Sequence, residues 1–270
     1  MQTGANLGDT VRQFCSAHRL HLNTDLGQHY LIDEEILQTI VTSAALRPDD
    51  VAVEIGPGIG VLTRKLLEKA RAVLAIELDK RVIPLLHEFV GKSDKLQVIQ
   101  DNALRVPLPE EPYKIVANIP YHITSPLLRH AFLESKRIPA SLTLLIQREV
   151  AEKICDEKDA GMLTILVRLF GKPRIAALVP PSAFLPPPKV NSAVLHIECF
   201  AEPLVEPQVI EEIFTLTKLA FGQKRKMLRN TLGTLPDGME QLSQANIDPE
   251  RRPQTLSIEE WIALARSFGA

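Results

Sequence analysis

Little in this chain of 270 residues is available for cross-linking or for capturing a metal. Its three cysteines, Cys15, Cys155 and Cys199, lie far apart, are odd in number and form no CxxC pair. That excludes a disulfide framework and a zinc knuckle, and it fits a reducing, cytoplasmic setting. His18 and His21 have ligand-like spacing but no partner residues, so no metal site is expected. Long apolar runs are also missing: none approaches roughly 18 residues, and the opening "MQTGANLGDT" has neither a basic nor an apolar signal region. Membrane insertion and secretion are therefore not expected. Nor is there an excess of charge, the formal net charge being −2, which argues against a nucleic-acid partner only if the charge is evenly spread. What is present is 45% hydrophobic residues, enough for one full-sized core and a smaller appendage, so two domains are expected.

Short apolar or β-branched runs recur and end at polar or glycine-containing turns: "VAVEI" (51–55), "AVLAIEL" (72–78), "LQVIQ" (96–100), "YKIVA" (113–117) and "SLTLLIQ" (141–147). Between them lie segments of helical spacing, with Leu62, Leu66 and Leu67 on one face and Val82, Leu85, Leu86 and Phe89 on another. Alternation of this kind predicts an α/β fold with a mostly parallel, doubly wound sheet covered on both faces. After residue 160 the runs "LTILVRLF", "RIAALV" and "SAVLHIECF" read as further strands with antiparallel partners, the last preceded by a Pro-rich loop. "AEPLVEP" (201–207) reads as a linker, and a small helical domain is expected from there to the end.

"EIGPGIG", Glu54 to Gly60, falls between a predicted strand and a predicted helix. Ligands of open α/β sheets bind outside the carboxyl ends of the strands, where glycine lets the backbone come close. A dinucleotide cradle needs a third glycine where this chain has Val61, so a smaller nucleoside ligand fits better than a pyrophosphate. Glu77 ends the next strand and is placed to accept from both ribose hydroxyls; Asp101 ends the third and is placed to accept from an adenine amino group. The glycines alone suit a plain tight turn equally well.

A second motif, "NIPY" (118–121), sets a neutral amide, a rigid turn and an aromatic ring side by side. With S-adenosylmethionine as the nucleoside, the protein's main task is to hold an acceptor in line with the methyl group. An adenine amino group is a poor nucleophile because its lone pair is delocalised into the ring. Two acceptors aimed at its hydrogens localise that pair: the Asn118 side-chain carbonyl is one candidate, and the Ile119 backbone carbonyl, kept extended by Pro120, is the other. Tyr121 offers a ring on which the base stacks. A strand-to-loop turn with a packed tyrosine is the alternative reading of the same four residues.

From Leu26 to the C-terminus the chain resembles the ribosomal RNA adenine dimethyltransferase family. The segments that carry the resemblance are, in order, "GQHYLID" (27–33), "EIGPGIG", "IELD" (76–79), "DNAL" (101–104), "NIPY", "VPPSAFLPPPKVNSAV" (179–194), "FGQKRKMLRNTL" (221–232) and "PERRPQTLSIEE" (249–260). The resemblance implies a Rossmann-like class I methyltransferase domain over residues 24–200 and a helical RNA-binding domain over 201–270. It implies S-adenosylmethionine as cofactor, held by His29, Leu31, Gly56, Gly58, Glu77, Asp101 and Asn118. It implies dimethylation of two adjacent adenosines near the 3′ end of small-subunit rRNA, on the small ribosomal subunit or its precursor, by a monomer in the cytoplasm. The family often has asparagine and phenylalanine where this chain has His29 and Tyr30.

Phe184, followed by three prolines, reads either as a core residue at a loop base or, by the resemblance, as a second aromatic displayed to stack on the base opposite Tyr121. From Ile213 to Pro236 there is no acidic residue, while Lys218, Lys224, Arg225, Lys226 and Arg229 cluster on a predicted helix, with Arg251 and Arg252 beyond it. Such a run is a solvated face or, beside an adenine-handling site, a patch that contacts phosphates. Large-subunit rRNA or DNA as substrate, and a mainly binding role in ribosome assembly or transcription, are the alternatives. Intact Glu77, Asp101 and "NIPY" argue against the last.

Overall fold

The structure is a computed structural model and describes residues 6–20, 22, 27–223 and 225–269. The chain divides into two compact units, Met1–Ala151 with Arg174–Cys199 and Glu152–Pro173 with Phe200–Ala270. Two expected boundaries move. Residues 152–173, assigned above to the first domain, fold with the second unit. The first unit also starts before residue 24, since Val11 and Cys15 of helix α1 (Leu7–Ala17) belong to its hydrophobic core.

In the first unit the described strands are β1 (Tyr30–Leu31), β2 (Val51–Ile55), β3 (Ala72–Glu77), β4 (Leu96–Gln100), β5 (Tyr113–Asn118), β6 (Ser141–Gln147), β7 (Gly171–Val179), β8 (Phe184–Leu185) and β9 (Ser192–Cys199), β7 beginning just before the boundary. Among these residues the main sheet runs β4-β3-β2-β5-β6-β9-β7. β2 pairs in parallel with β3 and β5, as do β3 with β4 and β5 with β6, whereas β9 is antiparallel to β6. All five residues of β2 are buried, as a central parallel strand covered on both faces requires. Helices α2 (Glu34–Ala44), α3 (Val61–Lys69) and α4 (Ile83–Val90) alternate with the strands. α2 is started by Asp33, whose carboxylate accepts from the N–H groups of Glu35 and Ile36 at 3.0 and 3.1 Å. α5 (Thr124–Arg129) follows "NIPY", and α6 (Arg148–Cys155) follows β6. β1 and β8 form a separate antiparallel pair in which Tyr30 faces Leu185 and Leu31 faces Phe184.

In the second unit the described helices are α7 (Met162–Phe170), α8 (Pro207–Phe221), α9 (Gly238–Gln244) and α10 (Ile258–Phe268). α7 is the run "LTILVRLF", expected as a strand. Its residues Thr164–Val167, Leu169 and Phe170 are buried, and a helix buried around most of its circumference loses the polar stripe that distinguishes it from a buried strand. The Gly161 N–H donates to Thr164 Oγ1 at 3.1 Å and helps to set the helix start. "AEPLVEP" is a packed turn rather than a free linker: the Leu204 N–H donates to the Leu169 carbonyl at 3.0 Å, and Val205 is buried.

Candidate active site

The carboxyl ends of β2, β3, β4 and β5 open into one cleft, all of it within the first unit. Gly56, Gly58, Glu77, Asp101 and Asn118 line it together with Gly27 to Leu31. After β2 the chain turns with φ of +66° at Gly56 and +55° at Gly58, a region that favours glycine. The two glycines differ in their surroundings. A Cβ on Gly56 would meet only Pro120 Cδ, at 3.8 Å, so its bare backbone faces the cleft; one on Gly58 would strike the Tyr30 ring at 2.5 Å.

Glu77, the last residue of β3, is held by that turn. Its carboxylate accepts from the Gly58 N–H at 3.1 Å and from the Asp79 N–H at 2.8 Å, and it is 7% exposed. Burial pushes its pKa up and the N–H donors pull it back. Each oxygen keeps a lone pair for a further donor, which suits a ribose diol. Asp101 follows β4. Its N–H donates to the Glu77 carbonyl, its carboxylate accepts from the Asn102 N–H at 2.6 Å, and it stands exposed at the cleft. At the cleft floor Glu54 is 1% exposed, and burial pushes its pKa up to about 8.

A second cavity shares Gly27, His29, Asn118 and His122 with the first and adds Ile119, Tyr121 and Gln147. Asn118 closes β5. Its Nδ2 donates to the His29 backbone carbonyl at 2.9 Å, which fixes the amide plane and leaves Oδ1 as an acceptor. Pro120 holds an extended φ/ψ of −55° and 131°. The Tyr121 hydroxyl lies 2.7 Å from the Ser192 hydroxyl, and burial raises its pKa, so it stays a phenol at neutral pH. The imidazole of His29 lies nearly parallel to the Tyr121 ring, 15° between planes and 6.4 Å between centroids. Gly27, φ +71°, lets the chain pass close against Pro120: a Cβ there would meet Pro120 Cβ at 2.8 Å.

Most of the residues singled out in the sequence border one or both cavities: His29, Leu31, Gly56, Gly58, Glu77, Asp101, Asn118, Ile119, Pro120 and Tyr121. Phe184 does not. Far from being displayed, its ring is 2% exposed and packed in the core of the first unit, because β8 turns it inward opposite Leu31. Several lining residues were not singled out. Gln28, whose Nε2 donates to Asp79 Oδ2 at 3.0 Å, lay within "GQHYLID", and Ser192, a partner of the Tyr121 hydroxyl rather than a lining residue, lay within "KVNSAV", where the resemblance was itself the signal. Nothing in the sequence marked Gln147.

The basic segment belongs to the second unit, and Lys224 lies outside the described residues. α8 ends at Phe221, so among the described residues of the cluster Lys218 is in the α-helix, Arg225 and Lys226 follow it, and Arg229 sits on a 3-10 turn. Lys218, Arg225 and Lys226 are exposed. Arg229 is paired with Glu250 at 2.7 Å, and Arg251 with both oxygens of Glu260 at 2.5 and 3.0 Å.

A sheet of this order, a nucleoside-sized cleft at its strand ends and an adjoining amide-and-phenol cavity define a Rossmann-like methyltransferase acting on an amino group. The model of the family described as ribosomal RNA adenine dimethylase matches residues 19–269, and the chain belongs to that family. It is 40% identical to a ribosomal RNA small subunit methyltransferase A of Alkaliphilus metalliredigens over 94% of each chain. To the protein of the same name from Dehalococcoides mccartyi strain BAV1 it is 38% identical, covering 96% of this chain and 92% of the relative. Among solved structures it is similar to a dimethyladenosine transferase from Plasmodium falciparum, with a TM-score of 0.78 and 27% identity over 89% of this chain and 98% of that one. It is also similar to the 23S rRNA methyltransferase ErmE, with a TM-score of 0.75 and 28% identity over 89% of this chain and 100% of that one. The chain is thus an S-adenosylmethionine-dependent methyltransferase.

Proposed function

We propose that the protein dimethylates the 6-amino group of two adjacent adenosines near the 3′ end of small-subunit ribosomal RNA, acting as a cytoplasmic monomer on the small subunit or its precursor. The observation that carries this reading is the Asn118 amide, pinned by the His29 carbonyl so that its own oxygen is left to accept beside Ile119. Glu77, Asp101, the bare Gly56 backbone, Leu31 and the His29 backbone would hold S-adenosylmethionine, and the donor set fits it: a diol-ready carboxylate, an exposed carboxylate and an uncluttered turn. When bound, this cofactor supplies a methyl group activated by its sulfonium.

The chain's own residues prepare the acceptor. Asn118 Oδ1 and the Ile119 carbonyl accept the two amino hydrogens and draw the nitrogen towards tetrahedral geometry, localising its lone pair. A neutral acceptor suits a nitrogen that becomes cationic and then sheds a proton, since it is not neutralised by that proton. Tyr121, kept protonated by burial and anchored by Ser192, serves as a stacking surface rather than a base. Lys218, Lys224, Arg225, Lys226 and Arg229 are proposed as phosphate contacts, with Arg229 already committed to Glu250. Among the described residues no helix is long and apolar enough to cross a membrane.

Incorporation of tritiated methyl groups into unmethylated small subunits, large subunits and DNA tests the assignment. Label confined to small-subunit rRNA is the expected result. Label on large-subunit RNA alone would favour the second reading, for which the likeness to ErmE speaks.

A further inference from the structure

Among the described residues the cofactor cleft is lined by four carboxyl groups, those of Glu54, Glu77, Asp79 and Asp101, and by no lysine or arginine. Three of the four are compensated. Glu77 accepts from the Gly58 and Asp79 N–H groups, Asp79 is paired with the Arg81 guanidinium at 2.6 Å and accepts from Gln28, and Asp101 stands exposed and accepts from the Asn102 N–H. Glu54 is the exception. It lies near the end of the central strand β2, is 1% exposed, and its Oε2 meets no hydrogen-bond partner. A buried, unpartnered carboxyl costs stability, so its place at the floor of a ligand cleft points to the ligand.

Burial opposes the ionisation of Glu54 most, Thr63 of α3 favours it, and the Glu77 carboxylate of β3 opposes it again. The other titratable side chains of the cleft are Tyr30 of β1, Asp79 beyond β3, Asp101 beyond β4, and the imidazoles of His29, before β1, and His122, after β5. None is a fixed cation, so Glu54 is a neutral acid at neutral pH until a positive charge is brought to it. The methyl donor brings one in its sulfonium. The thioether product, S-adenosylhomocysteine, has lost it, because that charge goes with the methyl group to the acceptor nitrogen and leaves as a proton. An opposite charge within about 4–6 Å favours the ionised carboxyl by a factor of about ten to a thousand. Since Glu54 is already buried, a ligand adds little further desolvation to set against that gain.

We infer that Glu54 makes the cleft selective for the charged donor over its uncharged product: it yields its proton to water when the sulfonium enters, attracts that charge as a carboxylate, and takes a proton back once the thioether is left, so that the product is let go. Glu54 determines specificity through its field rather than by contact, its Oε2 being sealed from solvent. This rests on the cofactor and not on which nucleic acid supplies the acceptor. The sign follows from the proton. The preference for the donor is smallest at low pH, where the carboxyl stays protonated even beside the sulfonium. It grows as pH rises to the point where the group ionises without a cation, by at most about tenfold per pH unit, the limit for one proton.

The test is calorimetry of S-adenosylmethionine and of S-adenosylhomocysteine binding to the parent and to Glu54→Gln, in two buffers of different ionisation enthalpy, at several pH values between about 6 and 8. The buffer difference counts the protons released. The parent should release up to one proton on binding the donor and fewer on binding the product, and its ratio of donor to product affinity should rise with pH, by close to tenfold per unit where it is steepest. Glu54→Gln keeps the shape of the side chain and is neutral throughout, so its ratio should stay constant while its affinity for the product remains near the parent's. Equal proton release with the two ligands in the parent, or none with either, would overturn the inference; this count stands whether or not the variant folds. A ratio in Glu54→Gln that still rises with pH would overturn it too, and would assign the effect to Glu77, His29 or His122. A parent that binds neither ligand would overturn the inference together with the assignment of the cleft to the cofactor, and is told apart by failing before any substitution is made.

Discussion

The two cavities of the first unit share His29 and Asn118 yet are built in different ways. In the cofactor cleft the two strand-end carboxylates are held by backbone nearby in the chain or on the adjacent strand. Glu77 accepts from Asp79, two residues on, and from Gly58, 19 residues back, while Asp101 accepts from its immediate neighbour. In the acceptor cavity the partners are distant: Asn118 and His29 are 89 residues apart, Tyr121 and Ser192 are 71, and His29 and Pro186 are 157. The first design needs only parallel strands in register with glycine in the turn. The second needs the β1–β8 pair and the start of β9 to be in place before any of its rings or amides is oriented. Damage to distant packing should therefore reach acceptor geometry first and cofactor affinity last.

The sharpest break of this comparison is Asn118→Ala. It removes the one side-chain acceptor proposed for the reacting amine, so kcat should fall by roughly a hundredfold or more, as for loss of a preorganised group acting on the reacting centre. Binding to small subunits should be largely kept; single-turnover methyl transfer together with a binding titration checks both, and transfer at the parent rate would refute the assigned role.

Glu77→Ala acts on the other cavity. Loss of hydrogen bonds to a charged group should weaken S-adenosylmethionine binding by about 1.5–3 kcal/mol. Calorimetry should show that change with RNA affinity intact, whereas an unaltered affinity would mean that the cleft binds its ligand elsewhere.

Glu54 sharpens the contrast through pH. Its carboxyl is raised in the folded protein to about 8, against about 4.3 in an unfolded chain, so the folded state binds the extra proton between those values. The stability it contributes is complete below the unfolded pKa and is lost progressively as pH rises through the folded one. The slope from this group is at most about 1.4 kcal/mol per pH unit. Glu54→Gln, which is neutral at every pH, should flatten the fall in stability between pH 5 and 8, as denaturant titrations at several pH values would show. A parent and variant with the same pH dependence would mean that Glu54 is ionised in place.

The smallest effects are expected in the second unit. Neutralising Lys218, Arg225 and Lys226 should lower the slope of log affinity for RNA against log salt by roughly 0.7–0.9 for each phosphate that is no longer neutralised. Arg229 and Arg251, already paired with Glu250 and Glu260, should matter less, because each must break an ion pair to reach a phosphate. The cofactor cleft is lined wholly by first-unit residues, so S-adenosylmethionine affinity should not change. A salt slope equal to the parent's would reduce the segment to a solvated surface.

What the sequence by itself determined is whatever depends on near neighbours and on period. Runs such as "VAVEI" and "LQVIQ" become parallel strands, the spacing of Leu62 and Leu66 becomes a buried helical face, and Gly56, Glu77 and Asp101 fall at successive strand ends because each closes its own strand or opens the turn after it. Tertiary structure decided the rest. "LTILVRLF" is a helix because a run buried on most sides carries no period to read. Residues 152–173 changed units, and the N-terminal helix, which the sequence assigned to neither domain, joined the first, because their apolar faces found partners that are remote in sequence. Phe184, which the resemblance suggested as a displayed ring, instead faces the core. Whether a ring faces the core or a cavity depends on which way a two-residue strand is turned, and that is set by its pairing with a strand more than 150 residues away.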